Sequence, residues 1–314
     1  MKAVAELVAA AGPDGSLRLP VQRSQAPLIL RRTADAVYLV SGAAGPLGGD
    51  TLELRIEVQA GAALRLRTVA AAVALPGRYG EESRFTVTAT VGPGARLEYL
   101  PKPTVAADGA RHRTEVTVRL AADATLLLRD EVLLGRHGER GGACRTRLAV
   151  DRDGARGGRP LLRHELNVSG TDGASLGPAV LAGHRAAGMV LAVEPDATDG
   201  SAVAHEVEVA GGIGVTGVAG MSDVARVAGV AGVAGVAKVA GGTFGAGGAI
   251  EPWVAMMPLA GPGVLVTALA HDTQVLRQRL DWGLDQLPGR PPSAETGVAP
   301  VATAVLSGTG GGIA

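Results

Sequence analysis

Two carboxylates and an arginine stand together at Arg129-Asp130-Glu131, and after the apolar Val132-Leu133-Leu134 the chain reads Gly135-Arg136-His137-Gly138-Glu139-Arg140. Carboxylates and an imidazole this close in sequence are ligand types that a hard-to-borderline divalent ion accepts, and His164 adds a second imidazole downstream. Asp130, Glu131, Arg136, His137, Glu139 and His164 are therefore the candidates for a polar ion path or a partner surface. Two other readings compete. Arg136 and Glu139, three apart across a glycine-rich turn, also suit a structural ion pair. Asp130, Glu131 and Glu139 also suit general acid–base work in a β-rich hydrolase or lyase.

Little else carries chemistry. The chain has no GxSxG elbow, no HExxH, no GxxxxGK[ST] and no GxGxxG opening a helix after a strand. The six histidines are scattered singly, with no pair at metal-ligand spacing on a recognisable element. Cys144 is the only cysteine, which excludes an internal disulfide and a CxxC zinc module, and its place in an apparent strand points to a structural thiol.

Composition removes whole function classes. Thirty basic residues balance thirty acidic ones, so neither nucleic acid nor an anionic membrane surface is held by bulk charge. Seven aromatic residues among 314 leave little for base-stacking platforms or sugar shelves. Only Lys2, Lys102 and Lys238 are lysines; with 47 glycines this reads as a GC-rich coding bias rather than a functional signal.

The elements that must position the candidates are strands. Thr51 to Val58 alternates apolar and polar residues without a break, and Ala63–Val69, Arg84–Val91 and Arg96–Leu100 repeat the pattern. Further strands are expected over 113–120, 125–134, 145–151 and 161–168, with turns at 107–109, 121–123 and 151–160. Short strands at this spacing, with no amphipathic helix between them, predict an all-β, antiparallel architecture. Gly45-Pro46-Leu47-Gly48-Gly49-Asp50 before the best strand is a tight-turn signature, so Gly48, Gly49 and Asp50 are expected to be structural. One amphipathic helix is expected over Gln274–Leu287, capped by Asp272 or Thr273.

Residues 1–288 then form one β domain, interrupted at 209–249 by a Val-Ala-Gly tract that reads as a flexible surface loop, and 289–314 read as a disordered tail. Glu6 interrupts the short apolar run at the start, which favours a first strand over a signal peptide. A purely structural protein that self-associates through the Val-Ala-Gly tract is a third possibility.

Several of these pieces, taken in order, resemble one family. Tyr38-Leu39-Val40 leads into the Gly48-Gly49-Asp50 turn and an alternating strand, and Thr68-Val69-Ala70-Ala71 matches a T-x-A-A segment. Leu97-Glu98-Tyr99-Leu100-Pro101-Lys102-Pro103-Thr104 resembles an L-E-[WY]-L-P-x-[PE]-[ST] signature. Leu134-Gly135-Arg136-His137-Gly138-Glu139 is similar to an L-G-R-x-x-x-G-E element in compressed form, Arg159-Pro160-Leu161-Leu162-Arg163 to an R-P-L-L strand, and Gly183-His184-Arg185 to a G-H element. The family is that of the urease accessory protein UreD, also called UreH. The resemblance implies a mostly β, elongated two-layer antiparallel fold with one or two short helices near the C-terminus. It also implies a cytoplasmic, non-enzymatic chaperone that binds urease apoprotein and UreF, with the GTPase UreG recruited through UreF. It further implies delivery of nickel along an internal path, with nickel transient and no tightly bound cofactor.

Overall fold

The computed structural model describes residues 1–154, 157–196, 253–259 and 261–285; the Val-Ala-Gly tract at 209–249 and the segment 289–314 lie outside the described residues. The chain opens with a hairpin of β1 (Lys2–Ala11) and β2 (Leu17–Arg23), then a second of β3 (Leu28–Arg32) and β4 (Val37–Ser41). Three winding turns follow: β5 (Thr51–Val58), β6 (Ala63–Thr68) and β7 (Ala72–Ala74); β8 (Ser83–Val91), β9 (Arg96–Leu100) and β10 (Thr104–Ala106); β11 (Arg111–Leu120) and β12 (Thr125–Leu134). The rest comprises β13 (Ala143–Arg152), β14 (Arg159–Ser169), helix α1 (Gly173–Leu176), β15 (Ala186–Val193), β16 (Val254–Pro258), β17 (Gly263–Ala270) and helix α2 (Thr273–Asp285).

These strands make two sheets, one ordered β14-β13-β11-β8-β5-β1-β2 and the other β16-β17-β15-β12-β9-β6-β4-β3, with β10 joined to β12 and β7 joined to β10. From β1 through β5, β8 and β11 to β13 every neighbour is parallel, as is every neighbour from β4 through β6 and β9 to β12. Antiparallel pairs occur only towards the ends of the stack. The body is thus a β-solenoid of stacked parallel strands, and the expected elongated two-layer antiparallel architecture is overturned.

The reason is physical. A period of two assigns each side chain a face, but it is the same in parallel and antiparallel strands. Strand direction depends on where each corner sends the chain. At Gln59-Ala60-Gly61-Ala62 the chain crosses to the opposite sheet instead of reversing beside β5, and the Gly61 N–H donates to Pro93 in the next corner, 2.8 Å away. Ala62, Ala95 and Ala124 occupy equivalent corner positions and are all buried, because a larger side chain has no room between stacked corners. The expectation for helices is corrected too: α1 lies between β14 and β15, well before the C-terminal end.

Apolar residues on the inner faces of both sheets form one long core, with Leu54, Leu64, Leu97, Leu120, Leu128 and Leu191 fully enclosed. Each such leucine contributes about 1.5–3 kcal/mol by burial. A second cluster forms on the outer side of the β12-β15-β17 half, where Leu276, Leu280 and Leu284 of α2 pack on Val190 and Val266. That helix is capped by Asp272, whose Oδ1 accepts from the Val275 N–H at 2.8 Å.

Candidate functional site

At the N-terminal ends of β8, β11 and β13 the inward positions change from aliphatic to polar. The parallel register sets Ser83 beside His112 and His112 beside Cys144, with Thr114 beside Thr146 one inward position further along. All five side chains are buried. Ser83 donates to the Arg111 carbonyl, 3.3 Å away, and lies 2.8 Å from Nδ1 of His112, while Thr114 Oγ1 lies 3.1 Å from Nε2. Each ring nitrogen thus has one hydroxyl partner, as a neutral imidazole with one N–H and one bare nitrogen requires. Burial lowers the His112 pKa to about 4, so the ring is uncharged at neutral pH.

Opposite this row, β12 turns its residues alternately to the two faces of its sheet. Leu126 and Leu128 belong to the solenoid core, and Asp130 continues their side. Burial raises the Asp130 carboxyl to about 6; a hydrogen bond with Thr146 opposes the shift and the neighbouring Glu131 charge adds to it. Burial, helped by the charges of Asp130 and Glu82, pushes the Cys144 thiol far up, so it stays protonated. The interior thus combines a neutral imidazole, three hydroxyls, a thiol that does not ionise and one carboxyl that titrates near pH 6. That is a set of weak, replaceable ligands rather than a closed cage.

Arg129 and Glu131 point the other way. Arg129 pairs with Asp281 at 2.5 Å and Glu131 Oε2 lies 2.7 Å from Nη2 of Arg277, so both tie β12 to α2. Glu131 Oε1 is buried without a hydrogen-bond partner. The remaining candidates lie elsewhere. Arg136 and Glu139 form an ion pair on the surface, where Glu139 Oε1 accepts from Arg136 Nε at 2.8 Å and Oε2 accepts from the N–H groups of Arg136 and Asp108 at 2.9 and 3.2 Å. These bonds, that of the Arg136 side chain first, hold the Glu139 carboxyl at about 2. His137 is exposed at the tip of the same loop. His164 sits on β14 opposite Leu148, with Nδ1 buried and unpartnered and its pKa lowered by burial. The six candidates do not form one cluster: the structure brings only Asp130 to the polar interior row, and His164 to the inner face of the last strand of that sheet.

At the turn before β5, Asp50 is buried, its Oδ2 accepts from the Leu47 N–H at 2.9 Å, and its other oxygen meets the amino group of Met1. Gly48 lies against Gly77 so closely that an added Cβ would come within 2.3 Å of the Gly77 nitrogen, and Gly49 adopts φ +87°. Sequence reasoning did not single out Ser83, His112, Thr114 and Thr146. The available signal was polar residues at apolar-phase positions of strands 83–91, 111–120 and 143–152.

Among the described residues no group of three or more His, Cys, Asp or Glu side chains is placed to hold a metal ion. The UreD urease accessory protein family model matches residues 1–293. The chain belongs to the UreD family. It is 41% identical over 288 residues to the urease accessory protein UreD of Parafrankia sp., covering 85% of this chain and 82% of that protein. It is 38% identical over 299 residues to the UreD of Frankia casuarinae, covering 86% and 85%. With UreD 3 of Streptomyces griseus the identity is 39% over 288 residues, covering 88% and 94%. As a member of this family the chain is a urease accessory protein and not an enzyme, so the acidic cluster beside the Gly135 turn is not hydrolytic machinery. Among the described residues no helix is long and apolar enough to cross a membrane.

Proposed function

We propose that this chain is a cytoplasmic scaffold required for inserting nickel into apo-urease, working in a complex with UreF-like and UreG-like proteins and the urease apoprotein. Nickel is its cargo and is held only in transit. The observation that carries this reading is the polar row of Ser83, His112, Thr114 and Thr146 inside an otherwise aliphatic solenoid, with Asp130 hydrogen-bonded to Thr146 at its edge.

The chemistry supports passage rather than storage. A neutral imidazole and oxygen donors suit a borderline divalent ion, whereas thiolates would bind it tightly; Cys144 stays a thiol. Both nitrogens of His112 already have partners, so an ion binds there only by displacing a hydrogen bond, which keeps the hold weak. Asp130 supplies negative charge at neutral pH and loses it near pH 6, so ion passage should fall off in mild acid.

Within this reading the six sequence candidates separate. Asp130 and His164 are assigned to the interior path. Glu131 is assigned to anchoring α2, and Arg136, His137 and Glu139 to a partner-facing surface loop. Gly48, Gly49 and Asp50 set the turn that starts the first winding rung.

The test is co-expression with a UreF-like partner and the urease subunits, with and without this chain, followed by metal analysis of the recovered urease. Nickel loading that depends on the chain supports the reading. Urease that is fully loaded and active without it refutes the reading.

A further inference from the structure

We propose that the outer face of the second sheet, over β4, β6 and β9, is a docking surface for an acidic polypeptide segment. Three arginines from two neighbouring strands converge there, Arg65 and Arg67 from β6 and Arg96 from β9. Glu98 on β9 lies beside Arg65 in the parallel register, and its carboxylate is only 9% exposed. Around it stand Arg65 Nε at 3.4 Å, Arg67 Nη2 at 3.4 Å and Arg96 Nη2 at 3.0 Å. Arg31 enters the same face, its register partner Tyr38 lying next to Arg67.

The donors outnumber the acceptors. Three guanidinium groups carry about fifteen N–H bonds, whereas one carboxylate offers about four lone-pair sites. Arg65 and Arg96 stay 59% and 56% exposed, and Arg67 Nη1 is buried without a partner. Asp35, in the β3–β4 turn, is a second carboxylate near enough to feel Arg65 and Arg67, and still leaves the patch positive. Helix α2 packs chiefly on β15, β16 and β17, towards the other end of this sheet.

The chemistry favours carboxylates from another polypeptide. Guanidinium groups pair with carboxylates through two parallel hydrogen bonds, and arginine is the charged residue enriched at protein interfaces. A nucleic acid is disfavoured because the patch has an anion, Glu98, at its centre, and the chain's zero net charge offers no long-range attraction to a polyanion. The inference stands apart from the nickel role, since its probe is a peptide and no metal takes part.

The experiment measures binding of a labelled octapeptide of alternating glutamate and alanine to the full chain, across a range of salt concentrations. Binding is expected, and it weakens as salt rises. Arg65→Gln combined with Arg96→Gln should weaken it about tenfold; both side chains are more than half exposed, so the variant keeps its fold. Glu98→Gln, which frees the three arginines, should tighten binding about threefold. Arg147→Gln, exposed on the outer face of the other sheet, should change nothing. Unchanged affinity in the Arg65/Arg96 variant, an equal loss in Arg147→Gln, or a short DNA duplex bound as tightly as the peptide would each overturn the proposal. A folded Glu98→Gln variant that binds no better would overturn it as well.

Discussion

Ser83 on β8 and His112 on β11 face each other at 2.8 Å inside the solenoid, a hydrogen-bonded pair at the end of an aliphatic core. Such a pair is held only where both partners are satisfied, and Thr114 completes it by meeting the other ring nitrogen. The polar row is therefore a built feature of the interior, and its titrating members give it a pH signature.

Burial lowers the His112 pKa from 6.5 to about 4, so below pH 6.5 the unfolded chain takes up a proton that the folded chain refuses. Stability from this group is whole above pH 6.5 and is lost as pH falls towards 4, by about 3 kcal/mol at most. His112→Gln should therefore be less acid-sensitive than the parent chain over that window, measured by urea unfolding at pH 7.5 and 4.5.

Asp130 has the opposite sign. Its folded pKa of about 6 exceeds the ordinary 3.8, so the folded chain binds a proton first and gains stability as pH falls from 6 to 4. Asp130→Asn should be more stable than the parent at pH 7.5, by up to about 3 kcal/mol, with the difference gone near pH 4. Thermal unfolding at the two pH values checks it; a destabilised variant at pH 7.5 would contradict the burial that raises this carboxyl.

Glu131→Gln tests the face of β12 that anchors α2. Its carboxylate is fully buried and pairs with the partly exposed Arg277, so loss of the charge should cost about 2 kcal/mol. Because that side chain faces α2 and not the interior row, nickel per urease in the protein that remains folded should be unchanged. Calorimetry and metal analysis of the same preparation decide it.

Gly48→Ala should destabilise the chain by about 2 kcal/mol or more, since the new methyl would press on the Gly77 backbone with no flexible atom to yield. A melting temperature equal to that of the parent would show that this turn opens without cost.

Much of the fold was legible strand by strand. The alternating segment over 51–58 and the further strands expected over 125–134 and 161–168 coincide with β5, β12 and most of β14. Their pairing direction was hidden because alternation is blind to it. The signal that does carry direction is the corner: Val58-Gln59-Ala60-Gly61-Ala62, Val91-Gly92-Pro93-Gly94-Ala95 and Leu120-Ala121-Ala122-Asp123-Ala124 recur once per rung. A repeat of about thirty residues is the mark of stacked architectures. The site was legible only in part. Asp130 stood out inside a charged cluster, but its interior neighbours come from three separate strands and meet only through the parallel register. Arg136, His137 and Glu139 drew attention through adjacency in sequence, whereas the fold turns their loop to the surface.

The most direct test of the central claim is the nickel content of urease matured with the parent chain or with Asp130→Asn, co-expressed with the UreF-like and UreG-like partners. The variant is expected to co-purify with its partners while nickel per urease falls several-fold. Full nickel loading by a folded, partner-bound Asp130→Asn chain would contradict an ion path through the polar interior.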